Sequence, residues 1–526
     1  MKKNPNLLWI TVLVLGWLFD FLFWKQSIGV NFAIFALLCL VGGFFILWMD
    51  KQRPARGTLW LVPFIVFFAA ITFIRAEPMT AFLGFVFTLF LMGILAVTFL
   101  GGRWMQYGVV DYIYKFLQLG GSVIVRAGEF SAQVRNERIE SGVPRPKVNL
   151  WPVARGILIA LPIVLIFGGL LASADVIFSN QLNSILKLFS LERFPQYIFR
   201  LIYILVIAYL LASVFLHAAT KSKDEKLIGE EKPLISQFLG FTESAIVLGS
   251  VIVLFAAFVF IQFKYFFGGH ANIHIDGFTY SEYARRGFGE LVAVAFFSLL
   301  LLLGLSTITR REDEVHRRVF SGLGIGLVAL VLVMLVSAYQ RLVLYETAYG
   351  FSRLRTYTHV FLIWIGLLLI VTVVLEIFRR ERAFALSALL ASLGFALSLS
   401  LLNVDGFIVR QNVNRAVQGA GLDVPYLVSL STDSVPVLTD IYQSSSYPGL
   451  TRDAVGAVLF CRLQTKTNDS TDQDWRSFSF PSWKADMDLK TVKSRLNGYQ
   501  VNDDSWPIRI LTPGHVAYDC YGSGSD

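Results

Sequence analysis

Eleven long apolar segments constrain the fold of this chain more than any other feature of its sequence. Each has roughly the 20 residues that an α-helix needs to cross the hydrocarbon core of a bilayer. A helix also satisfies its own backbone hydrogen bonds, which lipid cannot do. The composition agrees, because 55% of the residues are apolar and 16% are charged, against about 25% charged in soluble domains. The sequence therefore predicts an all-α fold, a polytopic transmembrane helix bundle.

The longest connection between the predicted spans follows the fourth. They cover residues 7–24, 28–49, 58–73, 80–100, 153–171, 197–217, 241–266, 291–307, 319–341, 357–377 and 383–403. Lys2 and Lys3 precede the first span as in a signal peptide, but no small-residue cleavage site follows it. We therefore expect an uncleaved first span.

Lys and Arg in the connections predict the orientation, since positive residues remain in the cytoplasm. With the N-terminus inside, every even-numbered connection is basic, whereas Arg75 is nearly the only basic residue of the third. Eleven spans then place the C-terminus outside. The net charge of +9 is explained by these short basic connections, so we expect the lipid bilayer as a partner and no nucleic acid.

The fourth connection, residues 101–152, is predicted to be cytoplasmic and is too long for a simple connector. Its apolar residues recur at helical spacing: Val109, Val110, Ile113, Phe116 and Leu117. The pattern predicts a helix that lies along the membrane surface or packs against the spans, and it leaves both open. The same spacing predicts a second surface helix on the other side of the membrane. Its apolar residues are Leu182, Ile185, Leu186 and Phe189.

The composition changes near residue 402 and divides the chain into two domains. Residues 1–402 form the predicted transmembrane domain, and residues 403–526 form a small soluble C-terminal domain, mostly helical and extracytoplasmic. Asp423 shortly before Pro425, and Asp433 shortly before Pro436, predict helix starts in this tail.

Three cysteines occur in the chain. Cys39 lies within the second span, whereas Cys461 and Cys520 both lie in the tail, which the predicted topology places in an oxidising compartment. We therefore predict a disulfide between Cys461 and Cys520. Two unpaired thiols are the alternative, because spacing alone does not show that the cysteines meet.

Polar residues crowd into the connections before the eighth and tenth spans. Both connections mix Tyr, Glu and Arg around a Gly-Phe pair. The candidate polar outer cluster is Tyr280, Glu282, Tyr283, Arg285, Arg286, Glu290, Arg341, Tyr345, Glu346, Tyr349, Arg353, Arg355, Tyr357 and His359. Its arginines could bind a phosphate or carboxylate through paired hydrogen bonds. Alternatively, Arg and Glu pair with each other and fix the helix ends, and the i to i+4 spacing of Glu282, Arg286 and Glu290 favours this second interpretation.

Other ionisable residues give weaker signals. His270, His274 and Asp276 could share a metal ion, but no fourth ligand follows in sequence, so we expect an ordinary polar loop and no cofactor. Glu376, at the end of the tenth span, is expected to pair with Arg379 or Arg380 one turn away. The predicted membrane midplane is almost free of ionisable groups, which disfavours an ion-driven carrier.

Four segments resemble a known family of bacterial polytopic membrane proteins. They are LLASADVIFSNQL, TYSEYARRGFGELVAV, AYGFSRLRTYTHVFLIW and, in the tail, DVPYLVSLSTDSVPVL. Together they are similar to domain of unknown function 4173, from about residue 153 into the tail. The resemblance implies a multi-pass protein of the bacterial cell (inner) membrane, and it implies no activity.

These patterns favour a non-enzymatic envelope sensor or assembly partner, with an envelope or cytoplasmic protein bound by the tail or the long loop. The alternative is a transporter or flippase for an anionic or lipid-like substrate, entered between the seventh to tenth spans. An enzyme that acts on lipid-linked substrates is the third hypothesis, with Glu282 or Glu346 as its base. The sequence contains none of the phosphate-binding, zinc-protease or nucleophile-elbow motifs.

Overall fold

The computed structural model describes residues 5–140, 194–223, 227, 237–266, 288–311, 313–467, 474–502 and 508–520, with single residues between 156 and 175. Among these residues, ten helices are long and apolar enough to cross a membrane. This confirms the all-α polytopic bundle. Most of the predicted fifth span, 153–171, and the second predicted surface helix lie outside the described residues.

The membrane helices are labelled here in chain order, together with the helix of the long connection. They are α1 (Pro5–Phe23), α2 (Val30–Met49), α3 (Arg56–Leu59) continued by α4 (Leu61–Ile74), α5 (Pro78–Thr98), α6 (Val109–Glu140, the long connection), α7 (Phe194–Thr220), α8 (Phe241–Phe266), α9 (Phe288–Ile308), α10 (Glu314–Tyr349), α11 (Arg353–Ile377) and α12 (Phe384–Leu402).

The tail begins with five helices and ends in a small sheet. The helices are α13 (Val404–Val417), α14 (Val424–Ser429), α15 (Val435–Gln443), α16 (Gly449–Thr467) and α17 (Phe480–Val492). The strands are β1 (Gln500–Asn502), β2 (Arg509–Leu511) and β3 (Ala517–Asp519), antiparallel in the order β1-β2-β3. The sequence did not predict this sheet, because strands of three residues are too short to show an alternating pattern.

The described chain divides into two compact units. Unit 1 contains Met1–Lys25, Leu38–Arg53 and Gln118–Lys221. In it α1 packs on α7, and buried Asp20 of α1 accepts hydrogen bonds from Arg200 Nε at 3.0 Å and Nη2 at 2.5 Å. This ion pair lets a carboxylate lie at a buried position.

Unit 2 contains the beginning of α2, the membrane helices α3 to α5 and α8 to α12, and the whole tail. One core surrounds α10, whose Leu327, Val331 and Leu342 are fully buried among residues of α8, α9 and α11. A second core fills the tail, with Val409 of α13 and Val458 of α16 at its centre, and residues of α5 and α11 pack against it.

The predicted helix of the long connection is present as α6. Phe116 stacks on Phe90 of α5 with ring centroids 5.1 Å apart, so this residue packs against a membrane helix. Ile113 and Leu117 are 56% and 71% exposed. Contact of these exposed residues with lipid stays a prediction.

A helix follows each of the two predicted start signals in the tail. Asp423 caps α14, since its carboxylate accepts a hydrogen bond from the backbone N–H of Tyr426 at 3.0 Å. The second start is also present, since α15 begins at Val435 with Pro436 in its first turn, but Asp433 does not cap this helix. A 3-10 turn, Thr432–Ser434, leads directly into α15, and the carboxylate of Asp433 instead accepts hydrogen bonds from a distant connection, at Ala76 and Glu77.

Candidate functional site

Unit 2 gathers several connections around the tail at one end of its membrane helices. These are the α1–α2, α4–α5 and α10–α11 connections, and we call their contact region with the tail the tail junction. Arg353 and Tyr357 of the candidate polar cluster contact the tail there.

Arg353, the first residue of α11, makes the central ion pair of the tail junction. Its Nε donates to Asp405 Oδ1 at 2.8 Å and its Nη2 donates to Asp405 Oδ2 at 2.6 Å. Asp405 is fully buried on α13 and also accepts from the backbone N–H of Ser431 at 2.6 Å. Burial raises the pKa of Asp405, but the hydrogen bonds from Arg353 and Ser431 outweigh it and leave this pKa below its ordinary value.

Side chains of α13 also satisfy the α10–α11 turn. Asn412 accepts from the backbone N–H of Phe351 at 2.7 Å and donates to its carbonyl at 2.9 Å. Arg415 Nη2 donates to the carbonyls of Thr347 and Ala348, which end α10. A cation at the C-terminus of a helix satisfies carbonyls that lack an intrahelical partner. The tail therefore completes the end of α10.

The turn itself needs glycine. Gly350 has φ +84°, a conformation that other residues rarely adopt. A Cβ there would lie 2.7 Å from Asn412 Oδ1 and 2.7 Å from Arg415 Nη1. The Gly-Phe pair of the sequence pattern thus allows the close approach of α13.

Glu77 joins the α4–α5 connection to α11. Its buried carboxylate caps α5 by accepting from the backbone N–H groups of Met79 and Thr80, and the hydroxyl of Tyr357 donates to the same carboxylate. Asp433 of the tail accepts from the N–H of Ala76 at 2.7 Å and of Glu77 at 2.8 Å. Burial raises the pKa of Asp433, and these hydrogen bonds only partly offset it.

Glu346 and His359 form a second polar pair, between α10 and α11. Glu346 Oε2 lies 2.8 Å from His359 Nε2, and Glu346 is 1% exposed. The ring of Tyr339 meets the His359 ring edge-to-face, with centroids 4.6 Å apart. Within the described part of the chain, Glu346 Oε1 and His359 Nδ1 have no hydrogen-bond partner. Buried ionisable groups on membrane helices usually serve a function.

Three further members of the predicted cluster contact one another or the turn. Arg355 lies 4.2 Å above the Tyr345 ring and donates to the carbonyl of Gly350. The rings of Tyr345 and Tyr349 are 5.0 Å apart. Arg341 is buried on α10.

The other connection of the predicted cluster precedes α9. Glu290 is exposed in the first turn of α9. The rest of it lies outside the described residues: Tyr280, Glu282, Tyr283, Arg285 and Arg286, as do the weak metal candidates His270, His274 and Asp276. Across the described ranges, no group of three His, Cys, Asp or Glu residues could hold a metal ion.

The tail cysteines lie together, because Cys461 of α16 and Cys520 beside β3 form a disulfide with their Cα atoms 5.7 Å apart. Cys39 is buried with a free thiol.

The structure brings Arg353 to an acidic partner that the sequence analysis missed. Asp405, Asn412, Glu77 and Asp433 all lie outside the predicted cluster. A signal was available for Glu77, since an acidic residue directly before Pro78 is typical of a helix start. No local signal marks Asp405 as the partner of Arg353, because 52 residues separate them.

The expected pairing of Glu376 with Arg379 or Arg380 is wrong. Glu376 accepts from Arg311 and from the Ser306 hydroxyl, the latter at 2.8 Å, while Arg379 pairs with Glu314. The physical reason is that α11 ends at Ile377 and Arg379 has φ +59°, so Arg379 does not lie on the helical face of Glu376.

A cavity of about 220 Å³ lies within unit 1, lined by residues that include Asp50, Arg126, Glu129 and Thr220. Ligand pockets usually have about 300 to 1,000 Å³. This cavity is therefore too small to assign a ligand.

Comparisons with known proteins identify the family of the chain. No curated protein and no solved structure matches it. The family model that matches the chain is a domain of unknown function, as the sequence motifs suggested, but it is not domain 4173. The model of this family matches residues 62–441, from α4 to α15 and so across the tail junction, and the chain therefore belongs to the family described as Domain of unknown function (DUF4153).

Proposed function

We propose that this multi-pass membrane protein is a non-enzymatic envelope sensor or assembly partner of the bacterial cell (inner) membrane, with its tail outside. The observation that carries the proposal is the paired hydrogen bond between Arg353 and buried Asp405. Arg353 was a leading candidate to bind an anionic substrate, and its Nε and Nη2 are occupied by a residue of the tail. An arginine whose donors are occupied in this way holds the tail in place and is less suited to bind a substrate.

The contacts of the tail junction suggest how such a protein would work. Asn412 and Arg415 of α13 hold the end of α10, and Asp405 of α13 holds the start of α11. A partner that displaced α13 would therefore have to move or break both attachments. Events at the tail would in this way reach the membrane helices, which is what a sensor requires.

Photocrosslinking in intact cells tests the proposal. A photoreactive residue replaces Leu450 or Val417, two tail residues that are 66% and 45% exposed. We expect light-dependent protein adducts of reproducible mass from at least one position. The matched control is Ile246 on α8, which is 65% exposed on a membrane helix and should contact lipid. Absence of protein adducts from both tail positions would contradict a role in assembly or in sensing a protein.

A transporter or flippase for an anionic or lipid-like substrate is the second candidate, and one observation favours it. Glu346 is buried and His359 is half-buried between two membrane helices, and Glu346 Oε1 and His359 Nδ1 are unpartnered among the residues described. Such a pair could bind a proton or a polar group that crosses the membrane.

Vesicles that contain the purified protein and a fluorescent phosphatidylglycerol would test this second candidate. If it is correct, the protein should accelerate exposure of the labelled lipid to a membrane-impermeant reductant, and E346Q and H359Q should slow this at equal protein level. Rates equal to those of protein-free vesicles would exclude lipid transfer.

A further inference from the structure

The tail carries an exposed apolar surface beside its contact with the α1–α2 connection. Phe480, Trp483 and Met487 are 44%, 47% and 46% exposed. Their spacing of three and four residues places them on one face of α17. Trp475, 57% exposed, precedes this helix in a 3-10 turn. We call these four residues the aromatic patch.

Hydrogen bonds place the segment before α17 at the beginning of a membrane helix. The carbonyl of Phe478 accepts from the backbone N–H of Val30, the first residue of α2, at 2.9 Å. The hydroxyl of Ser477 donates to Gln26 Oε1 at 2.8 Å. A Cβ on Gly29 would lie 2.7 Å from the Phe478 carbonyl oxygen, so the two segments are in close contact.

A second membrane helix fixes the position of α17 itself. Residues of α17 contact α4, another predicted span of unit 2. The patch therefore lies beside the beginning of α2 and in a helix that contacts α4. Trp is enriched at the membrane–water interface, and Trp and Phe are typical of the apolar face of helices that lie there.

Basic residues that suit an anionic lipid surface follow the patch along the chain, after Asp486 and Asp488 of α17. Lys490 on α17, followed by Lys493 and Arg495 in the next turn, are exposed. Basic residues beside an apolar helical face attract anionic headgroups.

From these observations we propose that the aromatic patch inserts into the headgroup region of the phospholipid leaflet next to the tail. The side chains of α17 thus hold the tail against the bilayer as an interfacial anchor. This inference does not depend on the proposed function, because a tail of any function could be held in this way.

Depth-dependent quenching tests the anchor in the full-length protein. Trp483→Cys is labelled with an environment-sensitive fluorophore and reconstituted into phosphatidylethanolamine and phosphatidylglycerol vesicles that contain spin-labelled lipid. We expect the lipid quencher to reduce the emission about twofold, as for a group at the interface. The control is Ala517→Cys, an exposed position on β3, in the sheet that packs on α14 and α16. Its emission should be unchanged.

Two results would overturn the proposal. One is equal emission from position 483 with and without the lipid quencher. The other is protection of position 483 in native membranes but not in pure lipid vesicles, which would assign the patch to a protein partner. Formation of the Cys461–Cys520 disulfide, seen as a gel shift, reports that the labelled tail has folded. Should W483C fail this check, M487C carries the same test on the same face of α17.

Discussion

At the scale of single residues, the tail junction depends on carboxylates whose burial is compensated to different degrees. Asp405 accepts two hydrogen bonds from a guanidinium and one from a backbone N–H, whereas Asp433 accepts mainly from backbone N–H groups. Charge-assisted hydrogen bonds are about twice as strong as neutral ones. This difference explains why the pKa of Asp405 is lowered and that of Asp433 is raised, although both side chains are buried.

We predict that Asp405→Asn lowers the free energy of unfolding by about 2 to 3 kcal/mol, because it leaves Arg353 without its anionic partner. Asp433→Asn is the matched control and should cost less than about 1 kcal/mol, since an amide oxygen still accepts from backbone N–H groups. Chemical unfolding in detergent measures both. The double swap R353D/D405R should recover part of the loss. Equal effects of the two Asn variants would contradict this account.

The directions of the two pKa shifts predict how the stability costs of Asp405→Asn and Asp433→Asn depend on pH. Because the folded pKa of Asp405 is lowered, its stabilising contribution is present above the ordinary value of about 3.9 and is lost as the pH falls through the folded pKa. The cost of Asp405→Asn should therefore be complete at neutral pH and shrink in strong acid. Asp433 has the opposite sign, since a raised pKa gives a contribution that is lost as the pH rises through it.

At the scale of elements, one tail helix determines how two membrane helices are joined. The α10–α11 turn is closed by Gly350 in the left-handed region and by side chains of α13. The position tolerates no Cβ without displacing Asn412 or Arg415. The α10–α11 turn and α13 must therefore fold together.

We expect Gly350→Ala to destabilise the protein by about 2 kcal/mol, from backbone strain and from the lost contacts of Asn412. Gly421→Ala in the α13–α14 connection is the control, because a Cβ at this position would have nothing within 4 Å and its φ is not positive. That variant should stay within about 0.5 kcal/mol of the parent. Thermal unfolding in detergent and limited proteolysis of the tail would compare them. A tolerated alanine at position 350 would show that the turn can relax.

At the scale of the whole molecule, the connections fall into two sets. The α1–α2, α4–α5 and α10–α11 connections contact the tail within unit 2, and these are odd-numbered in the predicted topology. Even-numbered connections contact one another elsewhere in unit 2, as Asp111 does with Arg382 and Glu314 with Arg379. This alternation is expected when successive helices cross a membrane. Which set faces the cytoplasm stays a prediction from the basic residues.

Cysteine labelling of intact cells would test that orientation. A cysteine at Leu450 in the tail should react with a membrane-impermeant maleimide. A cysteine at exposed Lys223, in the predicted cytoplasmic connection after α7, should react only after lysis. The reverse pattern would place the tail in the cytoplasm and remove the basis for the sensor hypothesis as stated.

The sequence by itself determined the membrane helices of this protein, because lipid allows an apolar segment of this length only one satisfied backbone conformation. It also indicated the polar connection from Arg341 to His359 and the glycine within it. Only the tertiary structure decided the partners: Arg353 with Asp405, Tyr357 with Glu77, and Glu346 with His359. The first two pairs join residues 52 and 280 positions apart, and no local pattern encodes such distances. The apolar pattern of a sequence determines which residues are removed from water. The partner of a buried charge depends instead on how the helices pack.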